Sequence, residues 1–85
     1  MNVEKILAKL VSFSVLGGES NLSILQWIES YLSDLGITSF RVYNKKGNKA
    51  SLHCRIGPGV DGGIILSGHT DVVPVAGQDW DTDPF

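Results

Sequence analysis

Residues 64–74 read IILSGHTDVVP, a short apolar run that goes directly into serine, glycine, histidine, threonine and aspartate. Ile64, Ile65 and Leu66 do not alternate with polar residues, so the run reads as a central strand covered on both faces. In extended backbone, side chains alternate with a period of two, which puts His69 and Asp71 on the same side. Read alone, His69-Thr70-Asp71 is either one corner of a metal site or an ordinary hydrogen-bonded strand end.

The metal reading has a chemical basis. Zinc binds a neutral imidazole nitrogen, and the other ring nitrogen then needs an acceptor; a carboxylate there fixes the tautomer and makes the ring a better donor. Gly68 leaves room beside the backbone, and open sheets bind ligands just beyond their strand ends. Nucleophile readings are weaker. Ser67 lacks the G-x-S-x-G elbow, and Cys54 alternates with Leu52 and Ile56, the pattern of an inert core thiol. His53 falls on the opposite, solvent-facing side of that strand. Two histidines do not make a catalytic zinc site, which generally takes three protein ligands and a water.

Upstream of the run, Val3, Ile6, Leu7, Leu10 and Val11 follow the spacing of one helical face. Asn2 is placed to cap this helix, and Glu4 suits its dipole. The pattern dissolves by Ser14, and Gly17-Gly18 ends it. A second helix starts near Ser20 or Asn21 with Ile24, Leu25, Ile28, Tyr31, Leu32 and Leu35 as its stripe, and Gly36 as its terminator. The period then changes to two. Phe40 to Tyr43 and Ala50 to Ile56 read as the strands of a hairpin around an Asn-, Lys- and Gly-rich turn, residues 44–49.

The order is thus two N-terminal helices, a β-hairpin, a buried central strand and a loop, an α/β arrangement. An interior strand needs neighbours on both edges, and two helices with one hairpin barely supply them. Residues 72–85 show no periodicity, and a loop of that length inside a compact domain is usually functional or disordered. The expectation is that the chain is the N-terminal part of something larger.

Composition narrows the classes. With 85 residues, 42% hydrophobic and 19% charged, the chain is of ordinary globular composition and makes one domain at most. A formal net charge of −2 gives no case for nucleic acid. One cysteine excludes an intrachain disulfide. Glu4, Lys5 and Lys9 interrupt any signal-peptide core, and no apolar run reaches the length of a membrane span. The expectation is a cytoplasmic protein without nucleic-acid or membrane partners.

Three pattern matches fail on context. Gly57-Pro58-Gly59-Val60-Asp61-Gly62 satisfies G-x-G-x-x-G but leads into a strand, whereas the dinucleotide fingerprint must open a helix. Asp79, Asp81 and Asp83 imitate an EF-hand start, but Pro84 stands where the bend needs glycine, and no glutamate follows. Asn21-Leu22-Ser23 is a formal glycosylation acceptor but lies at a helix start, where Asn21 reads as a cap.

Taken together, LSGHTDVVPVAGQDWDTDPF at residues 66–85 resembles the first metal-site segment of the M20 family of zinc aminoacylases and peptidases. There an apolar strand ends in S-G-H-x-D-x-V-P and is followed by a W-x-x-D-P-F loop. Residues 19–37, ESNLSILQWIESYLSDLGI, and 41–58, RVYNKKGNKASLHCRIGP, agree, so the resemblance covers essentially the whole chain. It is strongest to the acetylornithine deacetylase branch, with desuccinylases and dipeptidases as alternatives within the family.

The resemblance implies that residues 1–85 are the N-terminal part of an M20-type, zinc-peptidase-like catalytic domain, with the rest of that domain and the lid or dimerisation domain absent. It implies His69 as the first zinc ligand and Asp71 as the catalytic-site carboxylate that orients it. Ser67, Gly68 and Thr70 would shape the strand end, and Trp80, Asp83, Pro84 and Phe85 would form the loop. It further implies two zinc ions in a complete subunit and none held by these residues alone, a small N-acyl amino acid as substrate, and a homodimer or other homo-oligomer. The bridging aspartate, general-base glutamate and further ligands of that family have no counterpart here, so these 85 residues alone should be inactive. The other reading is a free-standing, non-catalytic α/β module that associates through an exposed sheet edge.

Overall fold

The computed structural model describes residues 2–85. Four regular elements follow one another: helix α1 (Val3–Val11), helix α2 (Leu22–Asp34), strand β1 (Ser39–Tyr43) and strand β2 (Ala50–Cys54). The fold is mixed α and β. Among the described residues, no helix is long and apolar enough to cross a membrane.

Helix α1 begins as its sequence dictates, with the Asn2 side chain accepting the Lys5 N–H at 2.9 Å. It stops at Val11, earlier than the glycine pair, where the Ser12 hydroxyl donates to the Lys9 carbonyl at 2.6 Å. Its apolar stripe exists but buries nothing: Val3, Leu7 and Val11 are all exposed. At its exit Phe13 approaches Trp27 with ring centroids 6.4 Å apart.

Helix α2 ends in a Schellman motif. Gly36 at φ +77° lets its own N–H reach the Ser33 carbonyl and the Ile37 N–H reach that of Leu32, both at 2.9 Å. Its N-terminus departs from expectation. Asn21 sits at the cap position without making a side-chain cap, and the Ser20 hydroxyl accepts the Leu22 N–H instead. The Asn21 amide turns to β2, donating to the Ala50 carbonyl at 2.8 Å and accepting the Ala50 N–H at 3.0 Å.

Strands β1 and β2 pair antiparallel, with Tyr43 opposite Ala50 and Phe40 opposite His53. The turn is organised by Asn44, whose side-chain oxygen accepts from the Gly47 and Lys49 N–H groups. One face of the hairpin looks to α2, and there Arg41 forms a two-pronged ion pair with Glu29. Glu29 and Tyr43 push the Arg41 guanidinium further towards its charged form. The other face carries Phe40, Val42 and His53, all exposed, with the His53 ring stacked on Phe40 at 5.3 Å.

The core is small: Val15 from the interhelical loop, Ile24 and Leu25 from α2, and Ala50 from β2. Burying an aliphatic side chain of this kind stabilises by about 1.5–3 kcal/mol, so few contacts hold the fold.

Two expectations are corrected. The run Ile64-Ile65-Leu66 forms no strand and is covered on neither face; its residues are 89%, 92% and 93% exposed. A strand needs a hydrogen-bonded neighbour, and among the described residues the sheet contains only β1 and β2. Cys54 is also exposed. It lies at the opposite end of β2 from the buried Ala50, so alternation alone does not bury it.

Candidate functional site

The His69–Asp71 segment is anchored from behind. Val72 donates its N–H to the Val15 carbonyl at 2.7 Å and accepts the Gly17 N–H at 3.3 Å, which makes a parallel bridge between Leu16 and Val72. This ties the residue after Asp71 to the loop between the two helices. It also sets Gly17 against the Asp71 carboxylate: a Cβ at position 17 would lie 3.8 Å from Oδ2, an ordinary contact.

In front of that anchor the His69 ring folds back on Asp71. Nδ1 lies 2.9 Å from Asp71 Oδ1 and 3.1 Å from the Asp71 carbonyl oxygen. A carboxylate and a carbonyl only accept hydrogen bonds, so Nδ1 carries the proton and donates to both. Nε2 of the neutral ring is then the free lone pair. The His69 and Asp71 side chains are 85% and 54% exposed, so that lone pair is open to an ion or to another group.

The geometry thus brings together the two residues singled out from sequence. In metal sites a ligating imidazole almost always hands its other N–H to an acceptor of this kind, and the donor set fits one ligand of a zinc ion with its orienting carboxylate. It fits no more than that. Among the described residues, no three His, Cys, Asp or Glu side chains gather where they could share an ion. The acidic run does not join His69: Asp83 spends an oxygen on the Phe85 N–H at 2.9 Å. Trp80 donates through Nε1 to Gln78, which donates in turn to the Pro74 carbonyl, so the loop is folded on itself.

Beside the pair runs an open groove of about 540 Å³. Leu25, Ile28 and Leu32 line it from α2, residues 50–54 from β2 with Lys49 just before them, and residues 65–71 from the segment that ends at Asp71. Sequence reading did not find the part played by Val15, Leu16 and Gly17. Gly17-Gly18 registered only as a helix terminator, and a contact more than fifty residues away leaves no local signal.

The acetylornithine deacetylase of Edwardsiella ictaluri (strain 93-146) is 37% identical to this chain over 68 residues, 79% of the chain and 18% of that protein. That of Pectobacterium carotovorum subsp. carotovorum (strain PC1) is 38% identical over 69 residues, again 79% and 18%. That of Vibrio campbellii (strain ATCC BAA-1116) is 33% identical over 66 residues. Over this stretch the chain is related to the acetylornithine deacetylases. The resemblance to M20 hydrolases therefore holds at the level of sequence. The chain spans less than a fifth of the length of the deacetylases it matches. No family model matches it, and no solved structure does.

Proposed function

We propose that this chain supplies the first metal ligand, His69, and its orienting carboxylate, Asp71, to the catalytic domain of a zinc-dependent amide hydrolase of acetylornithine deacetylase type. The observation that carries the reading is the His69 Nδ1–Asp71 Oδ1 hydrogen bond of 2.9 Å, which leaves Nε2 unengaged on a side chain that is 85% exposed. The kinship to deacetylases supports the class of reaction. Residues 1–85 then form the N-terminal part of that domain.

Two zinc ions, when bound, would polarise an amide carbonyl and make a water acidic enough to act as nucleophile near neutral pH. His69 would hold one of them through Nε2. Asp71 keeps the proton on Nδ1, fixes the ring plane and adds negative charge behind it. The remaining ligands and the general base come from residues outside this sequence. The substrate in this reading is N2-acetyl-L-ornithine, hydrolysed to ornithine and acetate in the cytoplasm for arginine biosynthesis. A desuccinylase or dipeptidase of the same family would use the same corner.

The test is a graft. The matching segment of the Pectobacterium deacetylase is replaced by that of this chain, and zinc content and hydrolysis of N2-acetyl-L-ornithine are measured. The graft should be active, and His69→Ala within it should remove both bound metal and turnover. A folded His69→Ala graft with undiminished turnover would overturn the proposal.

A further inference from the structure

Among the described residues, Ser14 is the one residue other than glycine with a positive φ, +39°. Every other such position holds glycine, which has no Cβ to clash there. Ser14 is exposed, so the packing of its own side chain does not demand this conformation. Helix α1 does not demand it either, since it ends at Val11 and buries none of its residues. A residue with a Cβ persists in a sparsely populated backbone region only where its surroundings over-determine it. What holds Ser14 follows it directly: Val15 is buried in the core, and its carbonyl accepts the Val72 N–H at 2.7 Å.

That bond is one link of a relay that ends on the imidazole. His69 Nδ1 donates to the Asp71 carbonyl at 3.1 Å as well as to the Asp71 carboxylate. The Asp71 carbonyl and the Val72 N–H are the two polar ends of a single peptide unit, which is planar and trans. The ring is therefore held at one end of a rigid plate whose other end is fixed to Val15. The Gly17 N–H, 3.3 Å from the Val72 carbonyl, holds the next peptide unit in the same way. Hydrogen bonds in series polarise one another. Donation by the Val72 N–H makes the Asp71 carbonyl a better acceptor, which keeps the proton on Nδ1 and enriches the lone pair on Nε2.

We propose that Ser14 is a positioning residue for His69. Its left-handed backbone turns the chain after α1 so that the Val15 carbonyl meets the Val72 N–H, and the Asp71–Val72 peptide unit carries that placement to the ring. The proposal rests on the reading of His69 as a metal ligand and adds to it a determinant from the loop between the helices.

The experiment varies the backbone preference at position 14. Glycine and asparagine accept the left-handed region, alanine resists it, and valine, branched at Cβ, resists it most. In a deacetylase graft that carries residues 1–85, Ser14→Val should weaken zinc affinity about 10–100-fold, as loss of an outer partner does. At saturating zinc it should lower kcat and leave KM unchanged. Ser14→Gly and Ser14→Asn should match the unsubstituted graft. Ser14→Ala replaces Ser14→Val if circular dichroism shows the valine variant unfolded. In this chain without metal, Ser14→Val should speed hydrogen exchange at the Val72 N–H while the Leu25 N–H, bonded to the Asn21 carbonyl within α2, keeps its protection. Nitrogen-15 spectra should show His69 moving from the Nδ1–H form towards Nε2–H. Unchanged Val72 exchange with an unchanged ring spectrum would overturn the proposal, and so would equal zinc affinity or losses shared by Ser14→Gly and Ser14→Asn. Exchange and ring spectrum need no metal, so an inactive unsubstituted graft would count against the hydrolase reading and leave those two measurements to decide the role of Ser14.

Discussion

Asn21 holds Ala50 by both of its backbone groups, donating to the carbonyl at 2.8 Å and accepting the N–H at 3.0 Å. One side-chain amide thereby imitates the next strand at the start of β2 and fixes where α2 sits on the sheet. Each such bond is worth about 0.5–1.5 kcal/mol net, so Asn21→Ala should cost about 1–3 kcal/mol. Urea denaturation followed by circular dichroism measures it. Asn21→Asp should be at least as harmful, because a carboxylate oxygen would replace the donor facing the Ala50 carbonyl.

The core is small enough for one residue to decide whether it forms. Ile24 is 1% exposed, and truncating a buried isoleucine to alanine costs about 2–5 kcal/mol. Ile24→Ala should therefore leave the chain largely unfolded, seen as lost helical ellipticity. Leu7→Ala, on the unpacked face of α1, should leave the thermal midpoint nearly unchanged; a drop as large as that of Ile24→Ala would show that α1 packs in solution.

Asp71 should dictate the tautomer of His69. Nitrogen-15 spectra of the ring should show the Nδ1–H form, and Asp71→Ala should shift the population towards Nε2–H. In the zinc-loaded deacetylase graft, Asp71→Asn should weaken metal affinity about 10–100-fold, the usual cost of losing such a partner. Equal affinity in the two proteins would show that Asp71 does not act through the ring.

Gly17 tests the rear anchor. A methyl group at this position meets Asp71 Oδ2 at an ordinary 3.8 Å, so Gly17→Ala should leave the His69 spectrum unchanged. Gly17→Asp would set a second carboxylate against the first and should displace Asp71 from the ring, visible as the same shift in tautomer that Asp71→Ala produces.

The ion pair between Arg41 and Glu29 should behave as a geometric clamp. Arg41→Lys keeps the charge but loses the planar fork, and its melting midpoint should fall in low salt. The gap to wild type should persist as salt is added, because both side chains carry the same screened charge and differ in the fork.

Much was legible without coordinates. Both helices, the Asn2 cap, the Gly36 terminator and the hairpin around Asn44 depend on interactions within a few residues, which composition and spacing report directly. The pairing of His69 with Asp71 is of the same kind, a contact between residues two apart. The assignment of Ile64–Leu66 as a covered strand failed for the opposite reason. Apolarity states what a segment would bury, while burial depends on whether another strand lies beside it.

By itself, then, the sequence determined the local elements, the His-Thr-Asp corner and the relationship to the deacetylases. Only the tertiary structure decided that Asn21 serves β2 rather than its own helix, that Val15 to Gly17 brace the segment behind Asp71, and that β2 faces an open groove. The first two join residues 29 and 57 positions apart, and the third brings together α2, β2 and residues 65–71. Hydrogen bonds and packing at that range follow from how the elements meet in space, and no local pattern of residues encodes them.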